Sequence, residues 1–210
     1  MNSYCSLYIV RHGETQWNVV RRIQGTTDIK LNKKGEEQAQ NLQKKLGGVQ
    51  MSAVFSSDLI RAHRTAEIIS LERNLIIKTT QALRERSFGK HEGKIFPEMQ
   101  KELSHYFDIY AKLPKNEKKT YMFDGEIESN KKLLYRFTTF LREVAVAYPE
   151  KNVLIVTHGG CIQAFLEELA WPKKGKIKRV MNTAYVVVRC DGIEFLVDSS
   201  DGIEVQDFPQ

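Results

Sequence analysis

Two apolar stretches, Leu7-Tyr8-Ile9-Val10 and Val153-Leu154-Ile155-Val156, are each followed closely by a His-Gly pair, at His12-Gly13 and at His158-Gly159. Short runs of β-branched and large apolar residues bounded by glycine are typical of strands buried in a parallel sheet. Ligands of such sheets bind just beyond the carboxyl ends of the strands. We therefore predict that two neighbouring strands bring the two histidines to one site.

Strand and helix patterns alternate along the rest of the chain. Helices are predicted over Gly35–Leu46, Leu59–Arg73, Ser129–Ala147 and Cys161–Leu169. Strands are predicted over Ala53–Phe55 and Leu75–Thr79, followed late in the chain by a hairpin of Tyr185–Val188 and Phe195–Val197 turning at Asp191-Gly192. This alternation predicts an α/β fold, a three-layer αβα sandwich with a mostly parallel central sheet.

The length of 210 residues suits a single domain spanning residues 1–210. Between about residues 93 and 125 the periodic pattern breaks down around Pro97 and Pro114. We expect an insertion with short helices here, serving as a lid that sets specificity; a decorative surface insertion is the alternative. A second Asp-Gly at Asp201-Gly202 predicts another turn, leading into a tail.

Composition favours a soluble globular enzyme, because 41% of residues are hydrophobic and 28% are charged. The formal net charge of +6 favours anionic ligands, although a lysine-rich solvated surface would give the same value. A basic segment at residues 173–179 has no interleaved aromatic residues, so we predict no nucleic-acid partner. It is interpreted as a solvated loop or as a rim that attracts an anionic substrate.

Three cysteines, Cys5, Cys161 and Cys190, are widely separated and odd in number, which favours a reducing cytoplasm. The chain has neither a signal-like beginning nor an apolar run of roughly 20 residues, so we predict a cytoplasmic protein without membrane contact. No histidine or cysteine spacing is typical of a metal site, and we predict no metal and no cofactor. Cys5 and Arg11 match the spacing of cysteine phosphatases, but an extended strand between them cannot wrap around a phosphate.

The residues around both histidines carry a family resemblance. The stretch Arg11-His12-Gly13-Glu14-Thr15-Gln16-Trp17-Asn18 resembles the nucleophile motif of the histidine phosphatase (phosphoglycerate mutase-like) superfamily. Further blocks resemble that family in its order along the chain: residues 24–28, Ser56–Ala62, Leu83–Gly89 with Glu92-Gly93, and Thr157–Gly160. One such motif is weak evidence, whereas ordered blocks across most of the chain are strong evidence. Glu92-Gly93 resembles the phosphatase branch of the family.

The resemblance implies a role for each matching residue. The catalytic residues would be His12, Glu85 and His158; the phosphate-binding residues Arg11, Asn18, Arg61 and Gly159; and the substrate-binding residues Gln24, Gly25 and Arg86.

The chemistry of phosphoryl transfer needs these residue types. A neutral imidazole is a competent nucleophile near pH 7, and we expect a backbone carbonyl to hold the other ring nitrogen of His12. Arginine forks suit phosphate oxygens, and a carboxylate such as Glu85, its pKa raised by burial or by the incoming phosphate, exchanges protons with the leaving oxygen and with water. Glu14 and Glu92 are less well placed for proton transfer, and Asp58 is interpreted as a helix-start residue.

These roles imply a metal-independent phosphomonoesterase, monomeric or homodimeric, that hydrolyses a small phosphorylated metabolite through a phosphohistidine. The alternatives are a 2,3-bisphosphoglycerate-dependent phosphoglycerate mutase, a phosphoprotein phosphatase and a non-catalytic phosphate-binding module. The mutases carry an adjacent arginine pair in the insertion, but no arginine occurs from Ser87 through Tyr135. The chain also has Gly125-Glu126-Ile127 where the family has Gly-Glu-Ser, with Ser129 nearby.

Overall fold

The two apolar stretches form adjacent parallel strands at the centre of the sheet. In the computed structural model, which describes residues 3–207, strand β1 spans Cys5–Arg11 and strand β4 spans Asn152–Thr157. The two strands pair in parallel from Ser6 to Arg11, with Arg11 opposite Thr157. Both His-Gly pairs therefore leave the sheet at the same end, as predicted.

Six strands form one sheet in the order β3-β2-β4-β1-β5-β6. The other strands are β2 (Ala53–Ser57), β3 (Ile77–Thr80), β5 (Lys176–Cys190) and β6 (Phe195–Gln206). Strands β3, β2, β4 and β1 run parallel, and β5 and β6 add an antiparallel pair beside β1. The predicted α/β fold with a mostly parallel sheet is confirmed.

Helices cover both faces of the sheet. The long helices are α2 (Lys33–Lys45), α3 (Ile60–Ser70), α7 (Asn130–Ala147) and α8 (Gly159–Glu168), and a short helix α1 spans Gln16–Val19. Side chains of β4 alternate between the faces: Val153 and Ile155 pack with α7 and α8, while Leu154 and Val156 pack with α2 and α3. Burial on both faces explains why this strand is a continuous apolar run.

The insertion carries three short helices, α4 (Phe96–Glu102), α5 (Ser104–Lys112) and α6 (Lys115–Lys118). It has a small core of its own, in which Met99 and Leu103 pack against Ile23 and Ile127. The insertion is thus fixed to the loop that follows α1. Its short helices agree with the sequence analysis, and its function as a lid stays a prediction.

The late hairpin is longer than the sequence predicts. Residues 176–179 of the basic segment belong to β5 and do not form a loop. The second Asp-Gly does not form a turn into a tail either, because Asp201 lies within β6 and pairs with Tyr185 of β5. The ladder is irregular between Val180 and Tyr185, and this irregularity accommodates the left-handed backbone of Thr183 (φ 56°).

The prediction that Asp58 starts a helix is wrong. Helix α3 begins after Leu59, and the Asp58 carboxylate accepts two hydrogen bonds of 2.7 Å from the guanidinium of Arg84. Asp28 satisfies the helix terminus instead, because its side chain accepts a 2.7 Å hydrogen bond from the Ile60 amide. The bidentate pair with Arg84 competes more strongly for the Asp58 oxygens than a local cap would.

Candidate active site

His12 lies at the carboxyl end of β1 and is 3% exposed. Its Nδ1 lies 2.7 Å from the Gly13 carbonyl oxygen, so Nδ1 carries the proton and donates, while Nε2 keeps its lone pair. The expected bond to a backbone carbonyl is therefore present. The His12 amide donates to the Thr157 carbonyl at 3.0 Å, which ties the residue to the end of β4.

His158 is the N-cap residue of α8, and the centroid of its ring lies 5.1 Å from that of His12. The side chain is buried, and neither ring nitrogen has a hydrogen-bond partner among the described residues. A buried polar atom without a partner costs free energy, so such groups in native proteins call for a ligand or water.

Both histidines are neutral at physiological pH. Burial lowers the pKa of His12 well below 6.5, and the nearby charges of Arg61 and Arg11 lower it further. The pKa of His158 is lowered in the same direction by burial and by Arg61. A neutral His12 has the lone pair that a nucleophile needs.

Two buried arginines supply positive charge beside these rings. Arg61 is 1% exposed, and its Nη atoms donate to the carbonyls of Thr27 (2.8 Å) and Gly25 (2.7 Å). Arg11 donates through Nη1 to the Val180 carbonyl. Burial lowers the pKa of each guanidinium to about 10, which leaves both protonated at neutral pH. Backbone carbonyls orient the two cations without neutralising them.

One nitrogen of each arginine is left free for a ligand. The Nε atoms of Arg11 and Arg61 are buried and have no hydrogen-bond partner within residues 3–207. A Cβ atom on Gly159 would lie only 3.1 Å from Arg11 Nε, so a larger residue there would crowd that donor. Two cations with free donors beside two neutral imidazoles form a site suited to an anion such as phosphate.

Glu85 is partly buried and contacts the beginning of α8, two residues after His158. Its Oε2 accepts a 2.9 Å hydrogen bond from the Gly160 amide, and its Oε1 accepts a 2.8 Å bond from the Arg86 amide. A Cβ on Gly160 would lie 2.5 Å from Glu85 Oε1, so the close approach of the carboxylate requires glycine at this position. Glu85 also lines an open cavity of about 580 Å³.

A loop brings Gln24 and Gly25 to the site. The Gly25 carbonyl holds Arg61, and the backbone of Gly25 is left-handed (φ 52°), a conformation that favours glycine. Gln24 is buried, and its Oε1 has no partner within the described part of the chain. The loop is fastened by Glu92, whose carboxylate accepts hydrogen bonds from the Thr26 amide (2.9 Å) and the Thr27 hydroxyl (2.7 Å).

The carboxylate of Glu14, the other candidate, is also engaged in contacts with neighbouring side chains. Its Oε1 accepts a 3.0 Å hydrogen bond from Asn32, and its Oε2 lies 3.4 Å from the Lys34 ammonium. Glu14 therefore stabilises the loop, as Glu92 does, and Glu85 is the one of these three candidate carboxylates that lines the cavity. Across residues 3–207, no group of three His, Cys, Asp or Glu side chains is arranged to hold a metal ion.

Comparison with known proteins agrees with this geometry. The sequence model of the histidine phosphatase superfamily (branch 1) matches residues 7–200. The chain belongs to the histidine phosphatase superfamily. The resemblance seen in the four blocks is thereby confirmed, and so is the prediction of an enzyme of this superfamily.

Individual relatives of this histidine phosphatase cover most of its length. It is 36% identical to phosphoglycerate mutase-like protein 4 of Arabidopsis thaliana, over 89% of this chain and 80% of that protein. It is 35% identical to the uncharacterized phosphatase PhoE of Bacillus subtilis, over 89% of this chain and 86% of that protein. The solved structure of a mycobacterial glucosyl-3-phosphoglycerate phosphatase with VO3 has a TM-score of 0.77 and 27% identity, and covers 92% of this chain and 96% of that chain.

Asn18 and Arg86 both make hydrogen bonds within the protein. Asn18 Oδ1 accepts from the Thr15 amide (3.0 Å) and from Asn182 Nδ2 (3.3 Å), so its Nδ2 is the group left for a ligand. The Arg86 guanidinium donates to the Glu128 carbonyl (2.6 Å) and to Asn130, at the beginning of α7. The phosphate and substrate roles of these two residues stay predictions.

The sequence analysis missed Asn182 and Arg136. Asn182 also donates to the His12 carbonyl at 3.2 Å and so supports both the nucleophile and Asn18. Arg136, on α7, donates hydrogen bonds to the backbone carbonyls of Ala82 and Glu85. Neither residue belongs to a local motif, and the only available signal was the position of Asn182 in the strand beside β1.

Within residues 3–207, no helix is long and apolar enough to cross a membrane.

Proposed function

We propose that this protein is a metal-independent phosphomonoesterase that hydrolyses a small phosphate ester through a phosphohistidine on His12. The observation that carries the proposal is the set of buried nitrogens without partners, on Arg11, Arg61 and His158, around a neutral His12. A phosphate dianion would satisfy these donors, with the neutral His158 donating from the ring nitrogen that carries its proton.

The first half-reaction transfers the phosphoryl group to the enzyme. Nε2 of His12 attacks phosphorus, a P–N bond forms, and the bond between phosphorus and the ester oxygen breaks. Glu85, entering this step protonated, gives its proton to the leaving oxygen and becomes a carboxylate. Arg11 and Arg61 compensate the charge on the equatorial oxygens, which is the main contribution a protein makes to phosphoryl transfer.

The second half-reaction restores the enzyme. Water attacks phosphorus and the P–N bond breaks, while the Glu85 carboxylate accepts a proton from the water. Inorganic phosphate leaves, and both His12 and protonated Glu85 return to their starting states. The same carboxylate thus serves as acid and then as base, because it faces the cavity from which an alcohol leaves and water enters.

The substrate is a small phosphate ester whose alcohol part occupies the cavity beside Glu85. We propose that the insertion over residues 93–125 forms a lid; the contribution of Met122 and Gly125 to the lining of that cavity supports this role. Phosphatase names among the relatives support hydrolysis. The insertion offers lysines but no arginine, and lysine lacks the planar fork that grips a second carboxylate or phosphate, which counts against a mutase.

Hydrolysis of p-nitrophenyl phosphate in the presence of EDTA tests the proposal. We expect activity in the wild-type enzyme and a loss of about 10³-fold or more in the His12→Ala variant, since the nucleophile is removed. His63→Ala is the matched control, because His63 is a partly exposed side chain on α3 that pairs with Glu67 outside the site. Its activity should stay within about twofold of wild type.

Three results would contradict the proposal. Equal activity in His12→Ala would exclude the phosphohistidine, and activity abolished by EDTA but restored by a divalent metal would exclude the metal-independent reaction. A wild-type enzyme that hydrolyses no ester, yet interconverts phosphoglycerates when given a bisphosphorylated primer, would be a mutase.

A further inference from the structure

Arg136 contacts the segment that carries Glu85 at three backbone carbonyls. From α7, its Nη1 donates to the carbonyls of Ala82 (2.8 Å) and Arg84 (2.6 Å), and its Nη2 donates to the carbonyl of Glu85 itself (3.1 Å). A planar guanidinium is suited to this arrangement, because its donors point in fixed directions in one plane. One side chain therefore fixes the backbone over four consecutive residues.

The same guanidinium binds Glu128, which follows the insertion. Its Nε donates to Glu128 Oε1 (2.9 Å) and its Nη2 to Glu128 Oε2 (2.8 Å), a bidentate pair with a buried carboxylate. Glu128 lies between the insertion and α7, and its Oε2 also faces the Ser87 amide (3.4 Å). Arg136 thus joins the acid-base segment to the end of the insertion.

We propose that Arg136 is a positioning residue for general acid catalysis, one that holds the carboxyl group of Glu85 where it can deliver a proton to the leaving oxygen. This inference rests on the proposed function. Arg136 borders the same cavity as Glu85, but its five donor contacts go to the backbone and to Glu128, so that no N–H group of its guanidinium is left for a phosphate. Its effect on the reaction therefore passes through Glu85.

The pairing with Glu128 suits this role electrostatically. A free cation beside Glu85 would favour the carboxylate form and so oppose proton donation. Glu128 offsets that charge: burial raises its pKa, but the hydrogen bonds and charge of Arg136, together with the Ser87 amide and the charge of Arg86, hold the pKa below its usual value. The ion pair has no net charge, so Arg136 can orient the segment while Glu128 compensates its positive charge.

The Gly160 amide holds the Glu85 carboxylate itself, but the remaining backbone contacts hold only the middle of the segment. The Thr157 hydroxyl donates to the Leu83 carbonyl (2.8 Å), and the Cys161 thiol donates to the Arg84 carbonyl (3.0 Å). The carbonyls of Ala82 and Glu85 are held by Arg136. Loss of its guanidinium would free the backbone on both ends of the segment, and a displacement of about 1 Å at a reacting group is enough to cost about 10²-fold in rate.

Substrates with different leaving groups provide the test. An alkyl phosphate needs a proton on its leaving oxygen, whereas p-nitrophenolate is a weak base and leaves without one. In Arg136→Met, we expect kcat/KM for an alkyl phosphate to fall about 10- to 100-fold more than kcat/KM for p-nitrophenyl phosphate. Arg136→Lys keeps the charge but cannot reach three carbonyls, so it should show the same selective loss to a smaller degree.

Controls separate positioning from folding and from the proposed function. Arg142→Met changes an exposed arginine on the same helix and should affect neither substrate. Glu85→Gln should reproduce the selective loss; equal losses on both substrates in that variant would overturn the acid role of Glu85. If Glu85→Gln is selective while folded Arg136→Met and Arg136→Lys lose both substrates equally or lose neither, the positioning role of Arg136 is overturned alone.

Discussion

At the scale of single residues, Arg61 shows how a buried cation is oriented without losing its charge. Two of its nitrogens bind backbone carbonyls of the loop at residues 24–28, and its Nε stays free. Carbonyls orient the guanidinium, whereas a carboxylate would have compensated it and left less charge for an anion. The arrangement needs several directional donors on one side chain, which lysine does not have.

We therefore expect Arg61→Lys to lower kcat/KM by about 100-fold, because the variant loses both the loop contacts and the free donor. The measurement is steady-state hydrolysis of p-nitrophenyl phosphate. Arg64→Lys is the matched control, since Arg64 is exposed on the same helix and pairs with Glu36 and Glu67. Comparable losses in both variants would show that Arg61 has no special contact with the phosphate.

The sequence predicted site residues that belong to a recognisable motif. It did not predict residues that reach the site only through contacts with positions far away in the sequence. His12 and Arg61 lie in blocks typical of the family, so both were found. Asn182 donates to the carbonyl of His12 from 170 positions away, and Arg136 binds Arg84 from 52 positions away. Such contacts depend on strand order and helix placement, which no local pattern encodes.

At the scale of elements, the loop at residues 24–28 depends on one carboxylate. Besides the bonds to Thr26 and Thr27, Glu92 accepts a 3.1 Å hydrogen bond from the Phe88 amide. Burial raises the pKa of Glu92, but these hydrogen bonds outweigh burial and lower it below its usual value. The loop in turn supplies the carbonyls that hold Arg61.

We expect Glu92→Gln to raise KM and to lower the free energy of unfolding by about 1–3 kcal/mol, because an amide cannot accept all of these hydrogen bonds. Urea unfolding and steady-state kinetics measure the two effects. Glu72→Gln, at an exposed position after α3, is the control and should change neither. A variant that unfolds like wild type would mean that the loop is held without Glu92.

The bounds of a helix or strand could be predicted where burial gives its sequence a regular pattern of apolar residues. They could not be predicted where most residues of the element are exposed. Helix α2 and strands β1 and β4 have strong apolar patterns and lie where the sequence predicts them. Strand β6 is an edge strand with mostly exposed residues, so only its apolar beginning at Phe195–Val197 was visible as a strand. Its polar remainder is specified by pairing with β5, a long-range interaction.

At the scale of the whole molecule, the two histidines link stability to pH. In the folded protein both are buried and their pKa values lie well below 6.5. In the unfolded chain they titrate near 6.5, so the unfolded state binds more protons than the folded state once the pH falls below that value. The carboxylates with lowered pKa values, such as Glu92 and Glu128, act in the same direction but at lower pH.

The contribution of the two neutral histidines to the free energy of unfolding should therefore be fully present above pH 6.5. It should decrease as the pH falls below 6.5 toward the pKa values of the histidines in the folded protein. The expected loss is about 1 kcal/mol for each of the two histidines between pH 7 and pH 5.5. Urea unfolding at both pH values measures it, and His158→Gln should remove about half of the histidine-dependent difference. Saturating inorganic phosphate should raise the free energy of unfolding of wild type by mass action, since it binds the folded state. A His158→Gln variant with an unchanged pH dependence would mean that His158 has the same pKa in the folded and the unfolded protein, so that its burial does not disfavour the charged imidazolium.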